Sequence, residues 1–157
     1  MSGFVLHHDA MSFIERIGVK GKTGGKSVTG RFETAFDAYW IFAQIGMIKD
    51  KFEIPDQSTS SELTRAFRGH SKAHSDLISG VAFYYYCKAR SITGSDNELL
   101  KEMAGFFSEE YNTLNEEGYK ILNGYANAGF TIVHSVLGDD CQNLHEFLLE
   151  CHDLIEG

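Results

Sequence analysis

The feature that most constrains this chain is a late stretch in which apolar residues recur at helical spacing among glycines. Between Ser108 and Leu137 the apolar positions follow one another at steps of three and four. That period places side chains on one face of an α-helix. Gly118, Gly124 and Gly129 lie on or beside this face. Because a glycine inside a helix costs about 1 kcal/mol relative to alanine, their number predicts that another helix approaches this one closely.

Apolar periodicity and start signals predict the other helices. They are residues 32–47, 59–69, 77–89 and 96–105, and a last helix capped by Asp139 or Asp140. The second of these rests on Thr59-Ser60-Ser61-Glu62, which fits a capping box. The first residues indicate a short strand and then a helical turn that begins near Asp9 or Ser12. We expect an all-α fold, a compact single-domain bundle of five to six helices that spans residues 1–157, with a Gly/Lys-rich N-terminal loop.

Three details of these helices are predicted as well. Trp40, the chain's single tryptophan, lies in the largely apolar helix 32–47 and is expected to pack in the core. Gly46 is expected to help end that helix. Gly138 is expected to end the glycine-bearing helix.

Residues 18–30, GVKGKTGGKSVTG, are rich in glycine and lysine and lack periodicity, which predicts a flexible basic loop. Gly25-Lys26-Ser27 resembles the end of a phosphate-binding P-loop. That motif requires a glycine at the position of Lys20, and Gly21 is one residue away from it. It also requires a buried strand and a sheet, which the sequence does not offer. We favour a flexible basic loop, with contact to the phosphates of DNA or RNA as the alternative.

Charge is distributed unevenly along the chain. The formal net charge is −8, and residues 1–72 hold 10 Lys and Arg against 8 Asp and Glu, whereas residues 73–157 hold 4 against 14. Because phosphate binding needs clustered Lys and Arg, the second half is a poor nucleic-acid surface. It suits solvent or a basic protein partner. The candidate nucleic-acid-binding residues therefore lie in the first half: Lys20, Lys22, Lys26, Arg31, Arg65, Arg68 and Lys72.

Cysteine usage and hydropathy bear on location. Cys87, Cys141 and Cys151 form an odd set without a CxxC pair, which favours free buried thiols in a reducing compartment. The first residues lack the basic start and long apolar core of a signal peptide. No apolar run approaches the roughly 18 residues of a membrane span. These features predict a cytoplasmic protein without a membrane segment.

The patterns that resemble metal sites have simpler explanations. His70 and His74 stand four apart, as ligands on one helix face would, but the residues between them do not complete HExxH. In the last helix Cys141 and His145 share a face, whereas Cys151 points elsewhere. We therefore interpret His70 and His74 as exposed or partly buried side chains. In the last helix we favour core thiols beside surface histidines. No metal or other cofactor is predicted.

Acidic pairs such as Glu109-Glu110 and Glu116-Glu117 are interpreted as solvated faces and caps, because neighbours on a helix point apart. No GxSxG elbow is present. A Ser/His/Asp arrangement formed in space stays open, since such triads are not sequential. An enzyme, for example a metal-dependent nuclease, is accordingly a third alternative behind two non-enzymatic hypotheses, and no catalytic residue is assigned.

Two segments together resemble a known family. The first is FETAFDAYWIFAQIGM, residues 32–47, followed by Lys51 and Pro55. The second is YANAG, residues 125–129. They are similar to the small bacterial proteins called DNA phosphorothioation-associated protein 4, which accompany DNA sulfur-modification and restriction genes. That family has an F-x-T-x-x-D start that leads into an apolar helix, and a late Y-A-N-G-G. The similarity extends from about Arg31 to Leu137.

The resemblance implies a role in defence against foreign DNA, as an accessory protein without known catalytic residues. The chain departs from the family pattern at Ala128 and carries the additional Gly/Lys-rich loop. Our leading hypothesis is a non-enzymatic accessory component of a bacterial DNA-linked anti-phage or restriction complex. Its partners would be other protein subunits, and DNA contacted through the basic N-terminal half. The alternative is a protein-interaction or oligomerisation module without nucleic-acid binding, whose small-residue helix face packs across a two-fold axis.

Overall fold

A computed structural model describes residues 3–18, 32–67, 70–109 and 113–157. The described residues form seven helices and one two-stranded sheet. In chain order they are β1 (Phe4–His7), α1 (His8–Ile17), α2 (Ala35–Ile48), β2 (Ser60–Thr64), α3 (His70–Ala73), α4 (Ser75–Ala89), α5 (Asp96–Phe106), α6 (Glu116–Leu137) and α7 (Leu144–Glu156). The mostly helical fold was predicted, whereas the sheet was not, and the seven helices described exceed the five to six predicted. Apart from Gly18, the predicted 18–30 loop lies outside the described residues.

The helices α2 and α6 form the centre of the fold. They pack antiparallel, and their contact is the most extensive between any two elements. A Cβ placed on Gly46 would lie 2.1 Å from the carbonyl oxygen of Tyr125, and one placed on Gly129 would lie 1.8 Å from that of Phe42. Both positions therefore need glycine for the two backbones to touch. The predicted close approach of a second helix is confirmed. The predicted role of Gly46 as a terminator is wrong, because α2 continues to Ile48.

The other glycines of α6 also lie under neighbouring groups. A Cβ on Gly118 would lie 2.3 Å from the carbonyl oxygen of Phe106, and one on Gly124 would lie 2.3 Å from the ring of Phe52. The N–H of Glu53 donates to the Gly124 carbonyl at 3.0 Å. The connection after α2 thus crosses α6 directly over a glycine. This small-residue face is used inside the chain, so a two-fold contact would need another surface.

The start of the chain is a strand, as predicted, and its partner is a segment that the sequence had indicated to be helical. β1 pairs antiparallel with β2, with a register shift between Phe4 and Val5. The prediction of a helix over 59–69 is therefore wrong across Ser60–Thr64. The apparent capping box at Thr59 lies instead at the entry to a strand, and the Thr59 carbonyl accepts from the N–H of His8 at 2.8 Å.

Helix ends are set by side-chain caps that differ in part from those predicted. α6 begins at Glu116, later than predicted, because the Asn115 side chain accepts from Gly118 N–H at 2.9 Å. It ends at Gly138, whose φ of 61° glycine adopts readily. α7 is capped by Asn143, which accepts from the N–H of Glu146 at 2.9 Å. The prediction of Asp139 or Asp140 as that cap is wrong.

One hydrophobic cluster joins the strand, α1, α2, α4, α6 and α7. Phe4 of β1 is fully buried, and its ring centroid lies 4.8 Å from Phe36, 4.9 Å from Phe67 and 5.0 Å from Tyr119, all edge to face. Such aromatic contacts add stability beyond the area they bury. Among the described residues no helix combines the length and the apolarity needed to cross a membrane.

Candidate partner-binding groove

An open groove of about 360 Å³ lies between the first half of α2 and the α3–α4 segment. We call it the α2–α4 groove. Its lining is mostly apolar, with a few polar groups at the edge: Phe36, Asp37, Trp40, Gln44, Ser71, His74, Leu77, Ile78 and Val81. This size and this mixture are typical of sites that bind a small molecule or a partner's side chain.

Helical periodicity builds both walls of the groove. Phe36, Trp40 and Gln44 follow one another at steps of four along α2, so their side chains stack on one face. Leu77 and Val81 do the same along α4. Trp40 is half-buried and packs against the core while it also forms a wall. Its predicted core role therefore describes only part of its position.

Two polar groups of the groove, Asp37 and Gln44, bond within their own helix and its N-terminal cap. The Asp37 carboxylate accepts from the N–H of Thr34 at 2.8 Å and from its hydroxyl at 3.2 Å, which caps α2. The Gln44 side-chain amide donates to the Trp40 carbonyl at 3.4 Å. With Asp37 and Gln44 engaged, most of the surface that the groove offers to a partner is apolar. Leu77, at its edge, is 66% exposed.

The structure describes two of the seven predicted nucleic-acid-binding residues. Arg65 follows β2, its side chain is 79% exposed, and its Nε donates to Glu62 at 3.1 Å. Lys72 is exposed on α3. Lys20, Lys22, Lys26, Arg31 and Arg68 lie outside the described residues. The basic surface stays a prediction.

A second cavity, of about 260 Å³, lies between β1, the segment around Pro55 and the first turns of α6. Its deepest polar group is Asn123, which is buried and already bonded. Its Oδ1 accepts from Val5 N–H at 3.0 Å and from the Tyr39 hydroxyl at 2.7 Å, and its Nδ2 donates to the Gly3 carbonyl at 2.9 Å. Asn123 therefore fastens the first strand to the central helix pair.

The side chain of Tyr86 links α4 to α5. The Tyr86 hydroxyl donates to Glu102 at 2.9 Å, accepts from Arg90 at 2.5 Å, and the Arg90 guanidinium lies 4.2 Å above the Tyr86 ring. Burial and the bond to Glu102 raise the pKa of Tyr86. The phenol stays protonated near neutrality and its contacts join two helices, which is a structural role.

The cysteines are free and buried, as predicted. Burial raises the pKa of Cys151 to about 12. His145 and His152 of the same helix are exposed. Core thiols beside surface histidines are therefore the observed arrangement. Within the part of the chain that the structure describes, no three His, Cys, Asp or Glu residues are placed to hold a metal ion.

The sequence had not indicated the α2–α4 groove. Its signal was present as two pairs at i and i+4, Trp40 with Gln44 and Leu77 with Val81, but each pair is equally typical of a buried face. No family model matches this chain, and neither does any curated protein or solved structure. The two segments at 32–47 and 125–129 alone carry the resemblance.

Proposed function

We propose that this chain is a non-enzymatic accessory protein of a bacterial DNA-linked defence complex, and that it binds a protein subunit through the α2–α4 groove. The observation that carries the binding role is the groove itself: an apolar wall with Trp40 half-buried and Leu77 mostly exposed at its rim. Large apolar side chains that converge on a concave surface favour an interaction site over ordinary surface.

The defence context rests on the resemblance, and fold alone does not define function. The residues that carry it come together in space. Phe42 and Gly46 of the first segment lie against Gly129 and Tyr125 of the second. A shared helix pair would explain why the short motifs occur in both this chain and the family. The first segment also supplies Trp40 and Gln44 to the groove.

The test is genetic and uses one substitution in the groove with a matched control. Leu77→Glu places a charge at the rim, where the exposed side chain tolerates it. Leu100→Glu changes a leucine that is 57% exposed on α5. In the native host, deletion of the gene should abolish restriction of unmodified phage DNA. Leu77→Glu should reproduce this loss and release the co-purifying subunit, whereas Leu100→Glu should do neither.

If deletion of the gene leaves restriction unchanged, the proposed defence role is excluded. If restriction is lost on deletion but retained by Leu77→Glu, the groove is excluded as the binding site and the defence role stands. Circular dichroism of both variants shows whether the fold is intact.

Direct DNA contact is a second candidate, which the charge asymmetry of the chain favours. Counterion release makes the logarithm of the binding constant fall with the logarithm of salt by about 0.9 for each phosphate contact. Lys20→Gln, Lys22→Gln and Lys26→Gln together should flatten that slope in fluorescence anisotropy with duplex DNA. Lys101→Gln, in the acidic half, should leave it unchanged. Absence of binding at low salt would exclude this candidate.

A further inference from the structure

Gly80, in the middle of α4, lacks the packing that explains the glycines of the central helix pair. A Cβ on Gly46, Gly118 or Gly129 would lie within 2.3 Å of another element's backbone, whereas a Cβ on Gly80 would meet no atom of the described residues within 4 Å. Glycine inside a helix is destabilising relative to alanine. The described parts of the chain therefore offer Gly80 no compensating contact.

The flanks of Gly80 are apolar and open. Leu77 is 66% exposed and Tyr84 is 60% exposed, the two highest values among the large apolar side chains of the described residues. Along α4 the steps between successive positions are three, four and four, from Leu77 to Gly80, Tyr84 and the exposed Lys88. This spacing forms one ridge with a notch at Gly80. We call this ridge the outer face of α4.

We propose that the outer face of α4 is the contact surface of a homodimer in which two copies of α4 pack antiparallel across a two-fold axis. In an isologous contact each residue pair occurs twice, with the roles exchanged. An axis near Ala82 places Gly80 opposite the partner's Tyr84, and Asp76 opposite the partner's Lys88. The aromatic ring then fills the notch, and the opposite charges meet at both ends.

The sequence of α4 favours a second copy over another partner because both pairs are centred on the same residue. Gly80 and Tyr84 lie two positions on either side of Ala82, and Asp76 and Lys88 lie six positions on either side. A parallel arrangement would instead bring Asp76 near the partner's Asp76 and Lys88 near the partner's Lys88. The repulsion between these like charges disfavours the parallel arrangement.

The contact is separable from the α2–α4 groove. Gly80 and Tyr84 do not line the groove, whereas Leu77 lies at the border of both surfaces. Leu77→Glu therefore affects both, and Tyr84→Ser in the same restriction assay separates loss of the dimer from loss of groove binding. A single pair of crossing helices buries less than the roughly 1,200 Å² of a standard stable interface. The dimer is therefore expected to be weak and concentration-dependent, with dissociation in the micromolar range.

Sedimentation equilibrium of the full chain, from low micromolar to several hundred micromolar, tests the proposal. The wild-type mass should rise toward that of a dimer. Tyr84→Ser should weaken association about tenfold or more, since the ring is the anchor. Gly80→Leu should do the same by filling the notch while it leaves the melting temperature unchanged or higher. Leu100→Ser, a change at an exposed site on another helix, should leave association unchanged.

A charge exchange gives the sharpest readout, because misfolding cannot produce it. Asp76→Lys alone should weaken the dimer by placing two lysines together, and so should Lys88→Asp alone by placing two aspartates together. The double variant should restore association to within a few-fold of wild type. A strict monomer at every concentration overturns the proposal. So does a dimer that is unaffected by Tyr84→Ser, or a double variant no better than the single ones.

Discussion

The backbone of Gly129 on α6 lies directly against the carbonyl group of Phe42 on α2, so that an added Cβ would be 1.8 Å from the oxygen and 2.6 Å from the carbon. Both of these atoms belong to the main chain and cannot rotate away. The contact fixes the crossing point of the two helices around which the remaining elements are arranged.

Gly129→Ala should therefore destabilise the protein although alanine is the better helix former. Overpacking of this kind costs about 1–3 kcal/mol, and helix propensity offsets about 1 kcal/mol of that. We expect a net loss of up to about 2 kcal/mol in the free energy of unfolding, measured by urea denaturation. Gly105→Ala is the matched control: that glycine is exposed near the end of α5, and no atom of the described residues lies within 4 Å of its Cβ position, so the variant should gain up to about 1 kcal/mol. Equal effects at the two sites would contradict the close contact.

Asn123→Leu should cost about 2–6 kcal/mol of unfolding free energy. The substitution leaves the Val5 N–H and the Tyr39 hydroxyl buried without an acceptor, and each such group costs about 1–3 kcal/mol. Tyr39→Phe removes one donor and leaves the bond from Val5 intact, so it should cost about 1 kcal/mol. In a double-mutant cycle the two changes should couple strongly, because Tyr39→Phe relieves one of the stranded donors. Additive effects would show that the two groups do not interact.

The thiols should resist modification in the folded protein. Cys151 is 3% exposed, and burial raises its pKa to about 12, so little thiolate forms near pH 8. A disulfide reagent should label Cys151 slowly in native protein and rapidly after denaturation, as followed by mass spectrometry. Leu149→Cys supplies a control on the same helix, since position 149 is 55% exposed. The introduced thiol should react at once. Fast native labelling of Cys151 would contradict its burial.

Asp139 should contribute stability that is lost in acid. The bond from His134 at 3.1 Å, and then the Arg16 guanidinium, lower the pKa of this carboxyl group from its ordinary 3.8. A carboxyl whose pKa is lower in the folded state stabilises that state above the unfolded value. The contribution therefore disappears as pH falls from 3.8 through the folded value. A carboxyl NMR titration should give a midpoint below 3.8 for Asp139.

His134→Ala should raise that midpoint toward 3.8 by removing the first cause of the shift. Ser58→Ala serves as the control, because Ser58 donates to Asp56 and not to Asp139. It should leave the Asp139 titration unchanged. A midpoint for Asp139 that ignores His134→Ala would show that their hydrogen bond does not persist in solution.

Long elements with strong periodicity were predictable from the sequence, and short ones that depend on a distant partner were not. The helices α2, α4 and α6 follow from runs of apolar residues at steps of three and four, and the glycines of α6 correctly indicated a close neighbour. β2 was missed because Ser60–Thr64 has only Leu63 as an apolar residue and is a strand through its pairing with Phe4–His7.

The capping errors have a comparable cause. Asp139 has the residue type of a cap, but tertiary contacts with His134 and Arg16 hold it elsewhere, and Asn143 takes that position. The α2–α4 groove was not predictable for a related reason. Trp40 and Leu77 belong to helices whose relative placement the local pattern does not specify, and a half-exposed wall looks the same in sequence as a buried one.

The hydrogen bond between Val5 and Asn123 joins positions 118 residues apart, so β1 cannot be fastened to α6 until the chain has been synthesised past Asn123. Until α6 leaves the ribosome, the part of α2 that packs against it has no cover. Contacts between residues so distant in sequence slow folding and prolong the exposure of hydrophobic surface. A nascent chain stalled before Asn123 should therefore be a client for holding chaperones, and premature termination there should yield insoluble product instead of a small folded fragment.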